Sequence, residues 1–173
     1  LCTIHRRPVD FYEEENYFFR LSRFEDRLLD WYAAHPTAIK PEHRAKEALG
    51  LIRGGLRDFS VSRTSLSWGI PLPWDSEHVA YVWFDALTNY LSAVGYGDPS
   101  QDYTDWWPVD YHLIGKDIIR HHCVYWPAML MSAGVEPPKG LAVGGWLLVG
   151  GEKMAKSGGN AVNPLELVDT VGV

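Results

Sequence analysis

Two lysines three residues apart, Lys153 and Lys156, lie in the loop Gly150-Gly151-Glu152-Lys153-Met154-Ala155-Lys156-Ser157-Gly158-Gly159-Asn160, directly after an apolar run. Glycines permit positive φ and close backbone approach, and the two ammonium groups supply point charges where a polyphosphate gathers negative charge in a transition state. Such a loop can close over phosphates. A lone Lys-x-x-Lys pair also fits a solvated loop tip with two surface charges, so the rest of the chain must decide between the two.

The elements that would position this loop alternate along the second half of the chain. Val79 to Phe84 is a candidate buried strand, followed by a helix from Asp85 to Val94 that Gly95 closes. Tyr111 to Ile114 is a second strand, Gly115-Lys116-Asp117 a tight turn, and Ile118 to Ser132 a helix ending at Gly134. Leu141-Ala142-Val143 and Trp146 to Val149 are further extended segments, and Asn163-Pro164-Leu165-Glu166 opens another helix with an N-cap, a first-turn proline and a first-turn acid. Strands and helices in alternation imply a parallel sheet, and ligands of such sheets bind at the carboxyl ends of the strands, where Trp83 to Asp85 and Gly115 to Asp117 are expected.

The first sixty residues read as a helical lead. Ser22-Arg23-Phe24-Glu25 has the capping-box pattern ahead of a helix carrying Leu28, Trp31 and Tyr32, and Pro41 opens a second helix that Gly54-Gly55 ends. The fold class expected is therefore α/β: a partial Rossmann-like parallel sheet flanked by helices, with a helical lead segment.

Composition sets limits. The 173 residues are 46% hydrophobic and 13% aromatic, enough for a folded core, with a net charge of −6. From Val61 to Val109 a single basic residue, Arg63, faces the acids Asp75, Glu77, Asp85, Asp98, Asp102 and Asp105, so a nucleic-acid surface is expected elsewhere. Two cysteines make no disulfide framework, and no apolar run approaches a membrane span, which points to a reducing cytoplasm and no membrane partner. The chain starts at Leu1 without methionine and reads as a processed or excised piece.

Six blocks stand in register: Asp58 to Arg63, Trp68-Gly69-Ile70-Pro71, Tyr81 to Ala86, His112 to Ile118, Trp126 to Leu130, and the K-M-A-K-S loop, with Glu14 to Ser22 before them. Their order resembles that of the methionyl-tRNA synthetases, and K-M-A-K-S resembles the K-M-S-K-S signature of class I synthetases with Ala155 in place of serine. The resemblance implies ATP-dependent activation of methionine and its transfer to tRNA(Met), with Mg²⁺ accompanying ATP. It divides the chain into 1–57, the end of a connective insertion and its helical return, and 58–173, the second half of the class I catalytic core. No His-x-Gly-His occurs. The resemblance thus implies that the N-terminal half of the core and the anticodon-binding domain are missing, and that the chain is inactive by itself.

The same resemblance implies the site. Lys153, Lys156, Lys116 and Arg63 would supply catalytic charge; Gly115, Asp117, Met154 and Ser157 would join the two loop lysines at ATP, with Asp117 on the ribose. Trp83, Ala86, Tyr90, Ile118 and His122 would form the methionine pocket, where a polarizable thioether suits aromatic edges. Each of these five also fits ordinary core packing. Leu87 stands where some relatives carry proline. Cys2-Thr3-Ile4-His5 has the spacing of half a zinc knuckle, but two ligands make no tetrahedral site, and zinc is not expected in this chain. Cys123 reads as a small buried side chain. Two other readings remain: a class I synthetase for leucine, isoleucine or valine, or a non-catalytic binding module.

If Lys156 meets the phosphates only in the transition state, Lys156→Ala in the full-length protein lowers kcat for adenylation and leaves the methionine KM nearly unchanged. Pyrophosphate exchange measures both, and a raised methionine KM at unchanged turnover would refute the role.

Overall fold

The computed structural model describes residue 8 and residues 13–155 and 159–172. Strand β1 (Phe18–Phe19) leads through a 3-10 turn into α1 (Glu25–Ala34); β2 (Ile39–Lys40), α2 (Glu42–Arg53), β3 (Phe59–Ser60) and β4 (Ser62–Arg63) come after it. Next come β5 (Pro71–Leu72), β6 (Asp75–Ala80), α3 (Val82–Ser92) and β7 (His112–Gly115). The chain continues through α4 (Trp126–Ala133), β8 (Leu141–Gly144), β9 (Leu148–Val149), β10 (Glu152–Lys153) and α5 (Pro164–Val171).

The α/β class stands. A parallel sheet in the order β2-β8-β7 is its centre, with Ile39 opposite Leu141, His112 opposite Leu141 and Gly115 opposite Gly144. Period-two alternation sends Ile114, Leu141 and Val143 to one face, where they join Leu28, Tyr32, Ala48 and Ile52 of α1 and α2 and Ile119, Cys123 and Val124 in one buried cluster. The opposite face carries Lys40, Leu113 and Ala142 beside a shallow cleft, and Leu113 is 82% exposed. A second cluster joins Leu87 and Leu91 of α3 to Trp126, Met129 and Leu130 of α4 and to Trp107 and Val135.

Three expectations are corrected. The apolar run Val79 to Phe84 is no parallel strand: β6 ends at Ala80, is antiparallel to β4 and β5, and hands over to α3 at Val82. Trp83 therefore sits in the first turn of a helix, not at a strand end. The Ser22–Glu25 capping box does not form, because both side chains have tertiary partners: Ser22 donates to Asp58, and Glu25 accepts the Leu56 N–H.

The stretch Ile118 to Ser132 is likewise not one regular α-helix. Lys116–Ile118 is a 3-10 turn and His121–Tyr125 a π turn, and only then does α4 begin. Pro127 supplies the reason: it has no N–H, so the carbonyl four residues back, that of Cys123, loses its helical donor. The Tyr32 hydroxyl donates to that carbonyl at 2.7 Å across the core. At the far end Gly134 takes φ +71° and the Val135 N–H reaches back to the Leu130 carbonyl, closing the helix in a left-handed cap.

Tyr32→Phe leaves a buried carbonyl without a donor at the point where the helix itself provides none. The expected loss is about 1–3 kcal/mol, read from urea unfolding; an unchanged midpoint would mean that water or a helical rearrangement takes over the carbonyl.

Candidate active site

Parallel pairing carries β7 and β8 to the same edge, and the residues just past their ends become neighbours. Asp117, two residues beyond β7, accepts the Trp146 indole N–H on Oδ2 at 2.9 Å and the Lys153 ammonium on the same oxygen at 3.1 Å. Lys116 donates to Oδ1 at 3.3 Å. The two ammonium groups also lie over the Trp146 ring, Lys116 at 3.6 Å and Lys153 at 4.3 Å from its centroid. The Trp146 N–H, followed by Lys153, holds the Asp117 carboxyl down at about 2, so it is ionised at any physiological pH. Ion pairs this exposed are screened by water and add little to stability, so the cluster's value lies in placement.

Lys153 reaches this cluster on a hairpin. β9 and β10 pair antiparallel across Gly150 and Gly151, whose φ of +61° and +86° make the tight two-residue turn that only glycine enters freely. Beyond it, Asn160 accepts the Ala155 N–H and donates to the Lys153 carbonyl, tying the two ends of the lysine loop together. Met154 donates its N–H to the Leu147 carbonyl. Lys156 and Ser157 lie outside the described residues, as do Cys2 and His5.

The same short turn serves a second group. Immediately after Asp117, the Ile118 carbonyl accepts the His122 Nδ1–H at 3.1 Å, which leaves His122 Nε2 bare to accept the Tyr90 hydroxyl proton at 2.9 Å. Trp83, Ala86 and Tyr90 lie on one face of α3, three and four residues apart. Trp83 stacks on His121 with ring centroids 3.8 Å apart, and Tyr90 packs against His112, His122 and Trp126. Burial holds His122 and His121 below the usual histidine range and takes His112, which accepts the Trp126 indole N–H, down to about 4. All three rings are neutral at pH 7. Burial pushes the Cys123 thiol up to about 12, in keeping with an inert packed side chain.

Arg63 stands apart from the lysines. Its guanidinium lies over the Tyr81 ring at 4.1 Å, donates to Ser60 and to the Ser62 carbonyl, and faces Glu14 at 3.9 Å. Glu14 in turn takes the N–H groups of Ser65 and Thr64, and these bonds, led by Ser65, hold its carboxyl at about 2. Sequence reasoning missed Trp146 and His121. A tryptophan directly after Gly144-Gly145, at a strand end, was the signal for the first; the Trp83–His121 stack needs α3 to start at Val82 and had none.

Residues 1–173 match the family model described as tRNA synthetases class I (M). The chain belongs to this family. The methionine–tRNA ligase of Thermotoga maritima is 51% identical over 171 residues, 99% of this class I (M) synthetase chain and 27% of the relative. That of Streptomyces coelicolor is 48% identical over 173 residues, 100% of this chain and 32% of the relative. Among solved structures, Mycobacterium tuberculosis methionyl-tRNA synthetase in complex with methionyl-adenylate superposes with a TM-score of 0.87 at 50% identity, over 98% of this chain and 34% of that one. Its apo form gives 0.83 at 47% identity, over 96% of this chain and 32% of that one. This class I (M) synthetase chain thus spans about a third or less of the length of these relatives.

Histidines whose native pKa is depressed bind fewer protons folded than unfolded, so stability rises with pH wherever the unfolded rings titrate. It is fully present above about 6.5 and falls as pH drops through that value towards the native pKa of His112, about 4. Urea midpoints across this window should show the fall, and His112→Gln should flatten it; a slope unchanged by the substitution would assign it to other groups.

Proposed function

We propose that the protein containing this chain is a methionine–tRNA ligase, taking methionine, ATP as its magnesium complex, and tRNA(Met) as substrates. The observation that carries this reading is one turn, Lys116–Ile118, serving two sites at once: Lys116 and Asp117 belong to the charged cluster with Lys153, and Ile118 holds His122 in the aromatic group. A carboxylate next to a polarizable pocket would then lie against the phosphates. Family membership and the relatives' own names support the same reading.

In this reaction a methionine carboxylate oxygen attacks the α-phosphorus of ATP, the bond to the bridging oxygen breaks, and pyrophosphate leaves with the electron pair. No covalent enzyme intermediate is needed, so positioning and charge neutralisation carry the rate. Lys116, Lys153 and Lys156 would supply positive charge to the developing pyrophosphate. Asp117 would hold the ribose hydroxyls, beside Gly115 at the end of β7, with Met154 and Ser157 in the closing loop. Loss of one such preorganised charge costs about 10²- to 10³-fold in kcat. Arg63 would act from the antiparallel sheet, through Tyr81 at the start of α3. Magnesium would arrive on ATP; among the described residues there is no cluster of three or more His, Cys, Asp or Glu side chains that could hold a metal ion.

Trp83, Ala86, Tyr90, Ile118 and His122 would form the methionine pocket. Residues 1–57 would be the end of a connective insertion and its return, and 58–173 the second half of the catalytic core, packed together through the cluster around Leu28, Ile52 and Leu141. No described helix is long and apolar enough to cross a membrane, and a cytoplasmic setting is part of the proposal. Trp83 and Tyr90 favour methionine over leucine, isoleucine or valine, whose side chains have no sulfur to meet aromatic edges.

ATP–pyrophosphate exchange by the full-length protein, run with each of these four amino acids, tests the reading: methionine alone should support it. Trp83→Ala or His122→Ala should cut discrimination of methionine over norleucine by roughly 1–3 kcal/mol. A retained ratio with a lower Tm would make both residues packing elements only.

A further inference from the structure

We propose that Trp146 is a positioning residue of the nucleotide site, its indole fixing where Lys116, Lys153 and Asp117 stand before ATP arrives. The inference rests on the assignment of that cluster to ATP. Three charged side chains come from two separate elements, the 3-10 turn after β7 and the hairpin strand β10. Trp146 touches all three: its N–H is 2.9 Å from Asp117 Oδ2, and its ring centre is 3.6 Å from the Lys116 ammonium and 4.3 Å from that of Lys153.

The two halves of the indole do different work. A lysine has four rotatable bonds, and both ammonium groups already bond to the Asp117 carboxylate, Lys153 at 3.1 Å and Lys116 at 3.3 Å. The electron-rich ring face offers each ammonium a second resting place, weak enough to leave when phosphate comes within reach. The N–H, a donor only, occupies one lone pair of Oδ2 and so sets the plane of the carboxylate. An ionised carboxylate has about four acceptor sites, so once the two lysines turn to phosphate the sites they occupy are released for two vicinal hydroxyls at a fixed angle. Because Trp146 stands at the base of the hairpin that presents Lys153, the same bond to Asp117 also fastens that hairpin to the end of β7.

Phenylalanine keeps the ring and deletes the N–H; alanine deletes both. Binding of ATP and 2′-deoxy-ATP to the full-length protein and its W146F and W146A variants, by isothermal titration, separates the two functions without relying on any amino-acid substrate. Wild type should prefer ATP. In W146F that preference should fall by about tenfold, the scale of one oriented hydrogen bond, while the affinity for 2′-deoxy-ATP stays within about threefold. In W146A the 2′-deoxy-ATP affinity should drop as well, because the lysines lose their platform. In exchange assays the methionine KM should stay unchanged in both variants.

An undiminished ATP preference in W146F overturns the inference, as does a methionine KM that moves in step with the ATP affinity. Should W146A fail to fold, W146F alone decides. If wild type activates a different amino acid, the substrate reading falls and the nucleotide preference still judges Trp146. If wild type binds no ATP, both fall.

Discussion

Parallel pairing of β7 with β8, in the register that sets Gly115 opposite Gly144, is the constraint on which the rest of the site depends. Parallel neighbours end at the same edge, about 4.8 Å apart. The residues after Gly115 must therefore lie beside the residues after Gly144, and these are Lys116-Asp117 and Gly145-Trp146. The register itself is held by burial: Ile114, Leu141 and Val143 face α1 and α2, and a slip of β8 by one residue would send Leu141 and Val143 to the open face. The hydrophobic core thus places charges that it never touches.

Much of this was legible in the sequence because local chemistry agreed with the final structure. Asn163 caps α5 through the Leu165 N–H as its position before proline implies, Gly150-Gly151 makes the hairpin turn, and β7 runs straight into the Lys116-Asp117 turn. The failures share a cause, which is that tertiary partners outbid local ones. Ser22 and Glu25 have the pattern of a capping box, yet each bonds to the segment around Asp58. Val79 to Phe84 is apolar throughout and so carries no period to separate a strand from a helix. The boundary at Tyr81 is decided by the packing of Leu87 and Leu91 against Trp126 and Leu130. The two-residue strand β2, between Pro36 and Pro41, is too short for any pattern to show.

The π turn at His121–Tyr125 has a local origin and a distant effect. Pro127 creates it by withholding a donor, and Tyr32 from α1 completes it by providing one. Each π turn inserts one residue into the helical count, which rotates the side chains before it relative to those after it. His122 then faces Tyr90 of α3, while Trp126 turns to His112 of β7.

The bond from Tyr90 to His122 fixes more than a distance. With the His122 Nδ1–H committed to the Ile118 carbonyl, Nε2 accepts, and the only proton of the Tyr90 hydroxyl is spent on it. Towards an incoming side chain Tyr90 shows lone pairs alone. A thioether approaching that oxygen is met on its electron-poor side, the polarised methyl hydrogens and the sulfur's extension of the carbon–sulfur bond, while its own lone pairs must turn elsewhere. In the proposed methionine pocket, the tautomer of one buried imidazole, set by the Ile118 carbonyl, would in this way dictate which way round the sulfur sits.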